Sequence, residues 1–311
     1  MTKSLSESVS PPVSSVTVLT PAKINLVLRI LDRRADGFHN LWSLMHTVGL
    51  EDQIVIRLNP GRTLITLQCD ALSLATDHTN LVCRAAAEVL RHSGRTIGLD
   101  IVLTKRIPMG AGLGGGSSDA AATIVGLNQL LNMGWSAGDM AQVGQTLGSD
   151  VPFFFFAPAA IVRGRGEEVT PVGITGSRWV VLVNPGFSVE TRWAYQELSS
   201  TRTGVRPLSD RHLALGRERR LSWEQVLEMA ENDFETPVFR AHLKLHAIKR
   251  ALLNQGAEVA LLSGSGATVF GVFRGKAEAH RALAHFQTQP DMKVFAVSAG
   301  SVPRIMQPSR I

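Results

Sequence analysis

An α+β chain built as two domains is the fold that the sequence predicts, on three observations. Runs of strand character are interleaved with segments of helical spacing in an order that suits mixed rather than purely parallel strands. The 311 residues suffice for two ordinary domains sharing a cleft. After "RGRGEEVTPV" the chain begins again with "RWVVLVNPG", which puts a boundary near residue 174. The expected division is a disordered tail over 1–15, a first domain over 16–174 and a second over 175–311.

Val16 to Leu19 and Ile24 to Leu31 read as two strands separated by the proline-containing break "TPAK". "DRRADGFHNL" is a polar turn, and "DQIVIRL" and "TLITLQC" alternate like strands. "NLVCRAAAEVLRHSG" carries apolar residues at helical spacing and stops at Gly94, a good C-terminal signal. "LDIVLTKRIP" is a strand ending at Pro108, and "SSDAAATIVGLNQLLN" and "SAGDMAQVGQTLG" are helices. Val151 to Val162 reads as a buried strand with its flanks. In the second half, "EVALLSGSGATVFGVF", the helix "AEAHRALAHFQ" and the strand "MKVFAVSAG" close the chain.

Composition narrows the function. With 44% hydrophobic and 19% charged residues the chain is globular, and its longest apolar run, broken by Pro152 and Pro158, falls short of the ~20 residues a membrane span needs. The first fifteen residues lack the apolar core of a signal peptide. Two cysteines, Cys69 and Cys83, make neither a disulfide framework nor a metal-ligand spacing, and a reducing cytoplasm is the expected location. The net charge of +6 favours anionic partners, nucleic acid or a phosphorylated small molecule. Aromatics, at 6%, do not interleave with the basic residues, so the expectation is a small-molecule substrate and no nucleic acid. The densest basic stretch, Arg202 to Arg220, reads first as a solvated face and second as a binding patch.

"PMGAGLGGGSSDAA", Pro108 to Ala121, packs five glycines between Gly110 and Gly116. Gly110, Gly112 and Gly115 satisfy the dinucleotide fingerprint G-x-G-x-x-G, but the second strand and its terminal acid that should follow are missing. A Walker A loop fails too, because no Lys-Ser/Thr follows the glycines. The physical logic survives both failures: glycines let backbone N–H groups approach a ligand, and a helix starting near Ser117 adds its positive end. Ser117 and Ser118 can donate to a phosphate or ligate magnesium. Asp119 reads as a first-turn residue compensating the helix dipole, ahead of a metal ligand.

The glycine segment resembles the central phosphate-binding motif of the GHMP kinases. "PAKINLVLRI" (Pro21 to Ile30) is similar to the family's N-terminal motif and "LLSGSGATVFGVF" (Leu261 to Phe273) to its C-terminal one. "RADGFHNL", "LGSDVPFFF" and "NDFETPV" resemble the branch that phosphorylates a cytidyl-diphosphate-linked methylerythritol on the non-mevalonate route to isoprenoids. The resemblance implies a ribosomal protein S5 domain 2-like N-terminal domain and a ferredoxin-like C-terminal one, with the active site between them. It implies ATP as phosphate donor, and Mg2+ through the reaction, without naming its ligands. It implies Asp150 as the base and Lys23 as its partner. ATP would meet Pro108, Met109, Gly110, Ala111, Gly112, Leu113, Gly114, Gly115, Gly116, Ser117 and Ser118, together with Asn80, Leu81 and Lys105. Lys105 and Arg106 hold ATP in one reading and are a solvated strand end in the other. The acceptor would meet Asn25, Phe38, His39, Thr191 and Tyr195. Phe38 stands where the branch often has tyrosine, keeping a stacking face and losing a hydroxyl, and Tyr195 either covers the base or is a half-buried helix aromatic. Another GHMP acceptor, homoserine or mevalonate, is disfavoured because neither has a base for the "DGFH" turn to recognise.

Overall fold

The computed structural model describes residues 15–202, 204, 206–289 and 291–306, so the tail expected over 1–15 lies outside the described residues but for Ser15. Two long strands, β1 (Ser15–Arg33) and β2 (His39–Asn59), pair antiparallel around the turn that holds Phe38. The expected break at "TPAK" is absent: β1 runs through Pro21 for 19 residues. The ladder shifts register between Pro21 and Ala22, so the proline's missing N–H falls where pairing is already irregular. There follow β3 (Ile65–Cys69), α1 (Leu81–Ser93), β4 (Gly98–Thr104), α2 (Gly115–Leu130) and α3 (Ala137–Gly144). Asn80 caps α1 by accepting from Val82 N–H, and Gly94 ends it in the left-handed region at φ 65°, as its sequence signal predicts. The buried strand expected over Val151 to Val162 holds only in part. Pro152–Phe156 winds into a 3₁₀ turn and only the end of the run enters β5 (Ala159–Gly164). Pro152 has no N–H for a ladder but suits the first position of a helical turn, which buries Phe153 and Phe154.

After β6 (Glu168–Pro171) and β7 (Gly173–Thr175) come β8 (Trp179–Asn184), α4 (Thr191–Thr201), α5 (Asp210–Leu215), β9 (Arg220–Ser222), α6 (Trp223–Glu228) and β10 (Glu231–Asn232). The chain then forms α7 (Glu235–Ala241), α8 (Leu243–Asn254), β11 (Val259–Leu262), β12 (Val269–Phe273), α9 (Lys276–Gln287), β13 (Lys293–Ser298) and β14 (Arg304–Met306). One sheet has the order β10-β1-β2-β4-β3, with β5 on β2, β6 on β5 and β14 on β1. The other, β11-β12-β8-β13, is antiparallel throughout. Parallel pairs β1–β10 and β3–β4 make the first sheet mixed, as an α+β reading requires. The second half of the chain therefore supplies two strands, β10 and β14, to the first sheet.

Helices α1 and α2 bury Val82, Ala86, Val89, Ala121, Ile124 and Leu127 against Val16, Val18, Ile54, Ile56, Ile101 and Leu103. A second cluster joins the sheets: Ile24 and Leu44 meet Leu182, Leu261 and Phe270, with Ala111 and Leu113 of the glycine segment among them. Burying one leucine contributes about 1.5–3 kcal/mol, so Leu113, 1% exposed, is an anchor for the loop around it. The basic stretch Arg202 to Arg220 is not simply a solvated face. Arg202 and Arg206 pair with Asp233, and Arg206 also with Glu231, beside the fully buried Arg29.

Candidate active site

The glycine segment forms the wall of a cavity of about 420 Å³. Its lining comprises Leu74, Ala75, Thr79, Asn80, Leu81, Lys105, Pro108 to Ser117, and Asp119. Asn80 and Leu81, at the start of α1, thus meet the loop that opens α2. That helix begins at Gly115, two residues before Ser117, and Gly114 precedes it in the left-handed region (φ 70°) with no side-chain cap. Its first N–H groups are left for an outside acceptor. At Gly112 (φ 76°) a Cβ would lie 2.0 Å from the carbonyl oxygen of Ser263, so only glycine allows the two glycine loops to touch. Ser118 is turned away from the cavity: its hydroxyl donates to Pro21 O at 2.6 Å and meets Thr20 Oγ1, tying α2 to β1. Ser117 lines the cavity.

Lys23 and Asn25 share a face of β1, as the two-residue repeat of a strand requires. Lys23 is 3% exposed, and its backbone N–H donates to Leu113 O at 2.9 Å, fastening the strand to the phosphate loop. Its ammonium donates to Asn25 Oδ1 at 2.7 Å and stands 3.6 Å from Asp150 Oδ2. Asn25 in turn donates to Ser43 Oγ at 2.9 Å, and Ser43 donates to Val27 O at 2.7 Å. With the Ser43 proton committed to a carbonyl, the Asn25 amide must face Ser43 and its oxygen must face Lys23. Asp150, in the turn before the 3₁₀ segment, keeps a third of its side chain exposed. The buried ammonium thus stands beside a carboxylate that a hydroxyl can still reach.

An aromatic group approaches this pair through Tyr195, which feels the Asp150 charge. His39 stacks on Tyr195 with ring centres 4.9 Å apart, and Tyr195 meets Phe234 edge-on at 4.8 Å. Burial, with the Asp150 carboxylate adding to it, pushes the Tyr195 hydroxyl up to about 12. Burial and the Arg33 charge hold His39 below the usual imidazole value, with Asp32 opposing. Phe38 is 55% exposed beneath the guanidinium of Arg165, 5.2 Å from its ring centre. Thr191 Oγ1 lies 3.0 Å from Ser265 Oγ, so α4 touches the C-terminal glycine loop.

Lys105 is not a solvated strand end. Its ammonium sits between Asp52 (2.5 Å) and Asp119 (2.6 Å), and all three are buried. Burial alone would lower the Lys105 value, but the Asp119 and Asp52 charges outweigh it and raise it. Asp52 also accepts backbone N–H groups from Arg106 and Ile107. Burial pushes Asp119 up to about 7, with the Lys105 ammonium opposing and Asp52 assisting. Asp119 lies beyond the first turn of α2, so its partner is the lysine and not the helix dipole. Its Oδ1 is, among the described residues, the one buried side-chain oxygen or nitrogen without a hydrogen-bond partner.

The profile described as GHMP kinases N terminal domain matches residues 80–157, and that described as GHMP kinases C terminal matches 211–290. A curated relative from Syntrophotalea carbinolica, 4-diphosphocytidyl-2-C-methyl-D-erythritol kinase, is 42% identical over 279 residues, covering 90% of this chain and 97% of its own. The chain belongs to the GHMP kinases. A crystal structure of 4-(cytidine 5'-diphospho)-2C-methyl-D-erythritol kinase matches this GHMP kinase with a TM-score of 0.75 and 32% identity, covering 92% of this chain and 99% of that one. Homoserine kinase from Cytophaga hutchinsonii matches with a TM-score of 0.74 over 96% of this chain and 99% of its own, at 18% identity, a likeness of fold.

In this GHMP kinase the fold brings Lys23, Asn25 and Asp150 together, and it gathers the residues expected around ATP, Ser118 apart, into one cavity wall. His39 and Tyr195 meet, while Phe38 stands outward with Arg165. Sequence reading missed Ser43, Asp52, Arg165 and Ser263. Asp52, Arg165 and Ser263 lay inside quoted stretches, Asp52 as the first residue of "DQIVIRL", whereas Ser43 lay outside them.

Proposed function

We propose that this GHMP kinase transfers the terminal phosphoryl group of ATP to a hydroxyl, the 2-hydroxyl, of 4-diphosphocytidyl-2-C-methyl-D-erythritol. The observation that carries the proposal is the Lys23–Asp150 pair, with Lys23 fastened to the glycine loop at Leu113 O and the Asp150 charge reaching Tyr195 of the His39 stack. The likeness to the Syntrophotalea carbinolica relative, over nearly the whole of both chains, supports the acceptor.

ATP lies with its phosphates along Gly110 to Gly116, where backbone N–H groups and the start of α2 meet negative charge without reorganising. Phosphoryl transfer passes through a loose transition state, so holding the acceptor oxygen in line matters as much as removing its proton. Asp150 accepts that proton, and Lys23, held by Asn25, keeps the carboxylate in place. His39 meets the polar edge of the cytosine, with Tyr195 supplying an aromatic face. No cluster of three or more His, Cys, Asp or Glu able to hold a metal occurs among the described residues. The unpartnered oxygen of Asp119, on the cavity wall with the Ser117 hydroxyl, nevertheless suits the cation that accompanies ATP. These two residues would hold Mg2+, which when bound neutralises charge on the phosphates. No described helix is long and apolar enough to cross a membrane, and a cytoplasmic location agrees with the two free cysteines.

The test is ADP release from ATP with the cytidyl acceptor, homoserine and mevalonate offered separately. Turnover is expected with the cytidyl acceptor alone. Turnover with homoserine or mevalonate and none with the cytidyl compound would replace this acceptor.

A further inference from the structure

"NDFETPV", which the sequence singles out, contributes no group to the chemistry above. Its first residue, Asn232, is 6% exposed on β10, opposite Leu28 of β1. The side-chain amide donates twice, to Leu262 O at 2.7 Å and to Gly264 O at 2.8 Å, and the amide oxygen accepts from Phe234 N–H at 2.9 Å. All three bonds fix its orientation: turned over, it would set oxygen against two carbonyls. What it grips is the C-terminal glycine loop. A Cβ on Gly264 would lie 3.5 Å from Lys23 Nζ and 3.6 Å from Asn25 Oδ1. The neighbouring Ser263 donates from Oγ to Gly112 O at 2.9 Å. One loop therefore leans on the reacting pair and on the phosphate loop at once, and Asn232 holds it from behind.

Two residues of strand are a weak anchor, and charges secure β10. Asp233 accepts from Ile30 N–H at 2.8 Å and pairs with Arg29 at 3.3 Å and Arg202 at 2.8 Å. Glu231 meets Arg29 at 3.1 Å and His212 at 2.8 Å. These ties lock Asn232 to β1, the strand that carries Lys23.

We propose that Asn232 is a positioning residue for phosphoryl transfer. By gripping the carbonyls of Leu262 and Gly264 it sets the C-terminal glycine loop against Lys23, Asn25 and Gly112. The separation of the phosphate cradle from the reacting pair is thereby fixed. The inference rests on the kinase reading above, but two of its readouts need no acceptor.

The experiment compares wild type with Asn232→Asp, which keeps the shape and the bond from Phe234 but loses both donors, and with Ser263→Ala. Amide hydrogen exchange is followed in the nucleotide-free protein, ATP binding by calorimetry without acceptor, and kcat and KM for both substrates by ADP release. Asn232→Asp is expected to speed exchange across residues 263–268 while leaving α9 unchanged. It should weaken ATP binding and lower kcat by about tenfold or more each, the scale of buried carbonyls left unpaired, with the acceptor KM within about twofold because His39 and Tyr195 are untouched. Ser263→Ala should weaken ATP binding in the same sense by a smaller factor. Wild-type exchange at 263–268 with wild-type ATP affinity in Asn232→Asp overturns the proposal. So does faster exchange everywhere with both KM values raised alike, which makes Asn232 a general fold residue. If Asn232→Asp does not fold, unchanged ATP affinity in folded Ser263→Ala overturns it instead. Failure of every acceptor to turn over removes the kinase reading, while exchange and calorimetry still decide the role of Asn232.

Discussion

In the proposed reaction Asp150 and Lys23 divide the work by exposure: the carboxylate keeps a third of its side chain exposed, and the lysine is buried. Asp150→Asn keeps the shape and removes the proton acceptor, so kcat should fall by roughly a hundred- to ten-thousand-fold. Lys23→Ala should lower kcat too, and the double variant should be little worse than the worse single one, because the two act as a unit. Steady-state turnover on variants checked by circular dichroism decides it; Asp150→Asn working at the wild-type rate would take the base role away. Lys23 and Asn25 were legible through the resemblance of "PAKINLVLRI" to a kinase motif, and the two-residue repeat of a strand puts both on one face. Ser43, which orients Asn25, was not, because its place opposite Leu28 depends on a register shift between Asn25 and Val27 that no local pattern announces. Lys105 was ambiguous for a similar reason: its carboxylates are 53 and 14 residues away, one on a strand and one inside a helix.

The turn from β4 into α2 is the element proposed to meet ATP. The glycines announced it, but the serines suggested a start at Ser117, since Ser is a favoured N-cap. Gly114 occupies the cap position instead, and a cap without a side chain leaves the first N–H groups to the ligand. Gly114→Val meets two obstacles there. Its φ of 70° is a region that β-branched residues avoid, at about 1–2 kcal/mol, and a Cβ would lie 2.9 Å from Lys23 Cγ. We expect ATP affinity to drop by about tenfold or more while the fold survives, since a loss of a few kcal/mol leaves most domains folded. Calorimetry with ATP, alongside thermal unfolding, tests it; tight ATP binding by folded Gly114→Val would mean that the phosphates lie elsewhere. The two-residue strand β10 was beyond any periodicity, because its position comes from ion pairs of Glu231 and Asp233 with Arg29, Arg202 and His212, distant in the chain.

His46 ties the stability of the whole molecule to pH. It is buried on β2, donates from Nδ1 to Thr47 O at 2.7 Å and packs against Trp223 with ring centres 5.2 Å apart. Burial pushes it down to about 4, against the pull of the Thr47 carbonyl, from the 6.5 of an exposed imidazole. Between those values the unfolded chain binds the proton that the folded chain refuses. The stability is therefore fully present above about 6.5 and is lost as pH falls towards 4. A shift of this size corresponds to about 3 kcal/mol at most. Urea unfolding across that window should show a slope that His46→Gln flattens; an equal slope in the variant would assign the acid loss to other groups. The mixture of strands and helices was legible from their interleaving in the sequence, but the return of β10 and β14 to the first sheet was not. That return also bears on the order in which the polypeptide is made. One edge of β1 pairs with β2 soon after both are synthesised, but the other waits for residues 231–232 at Val27 and Leu28 and for residues 304–306 at Thr17 to Leu19. The half that emerges first from the ribosome cannot complete its own sheet. Until synthesis is nearly over it presents an open strand edge of the kind that nascent chains aggregate through and chaperones cover.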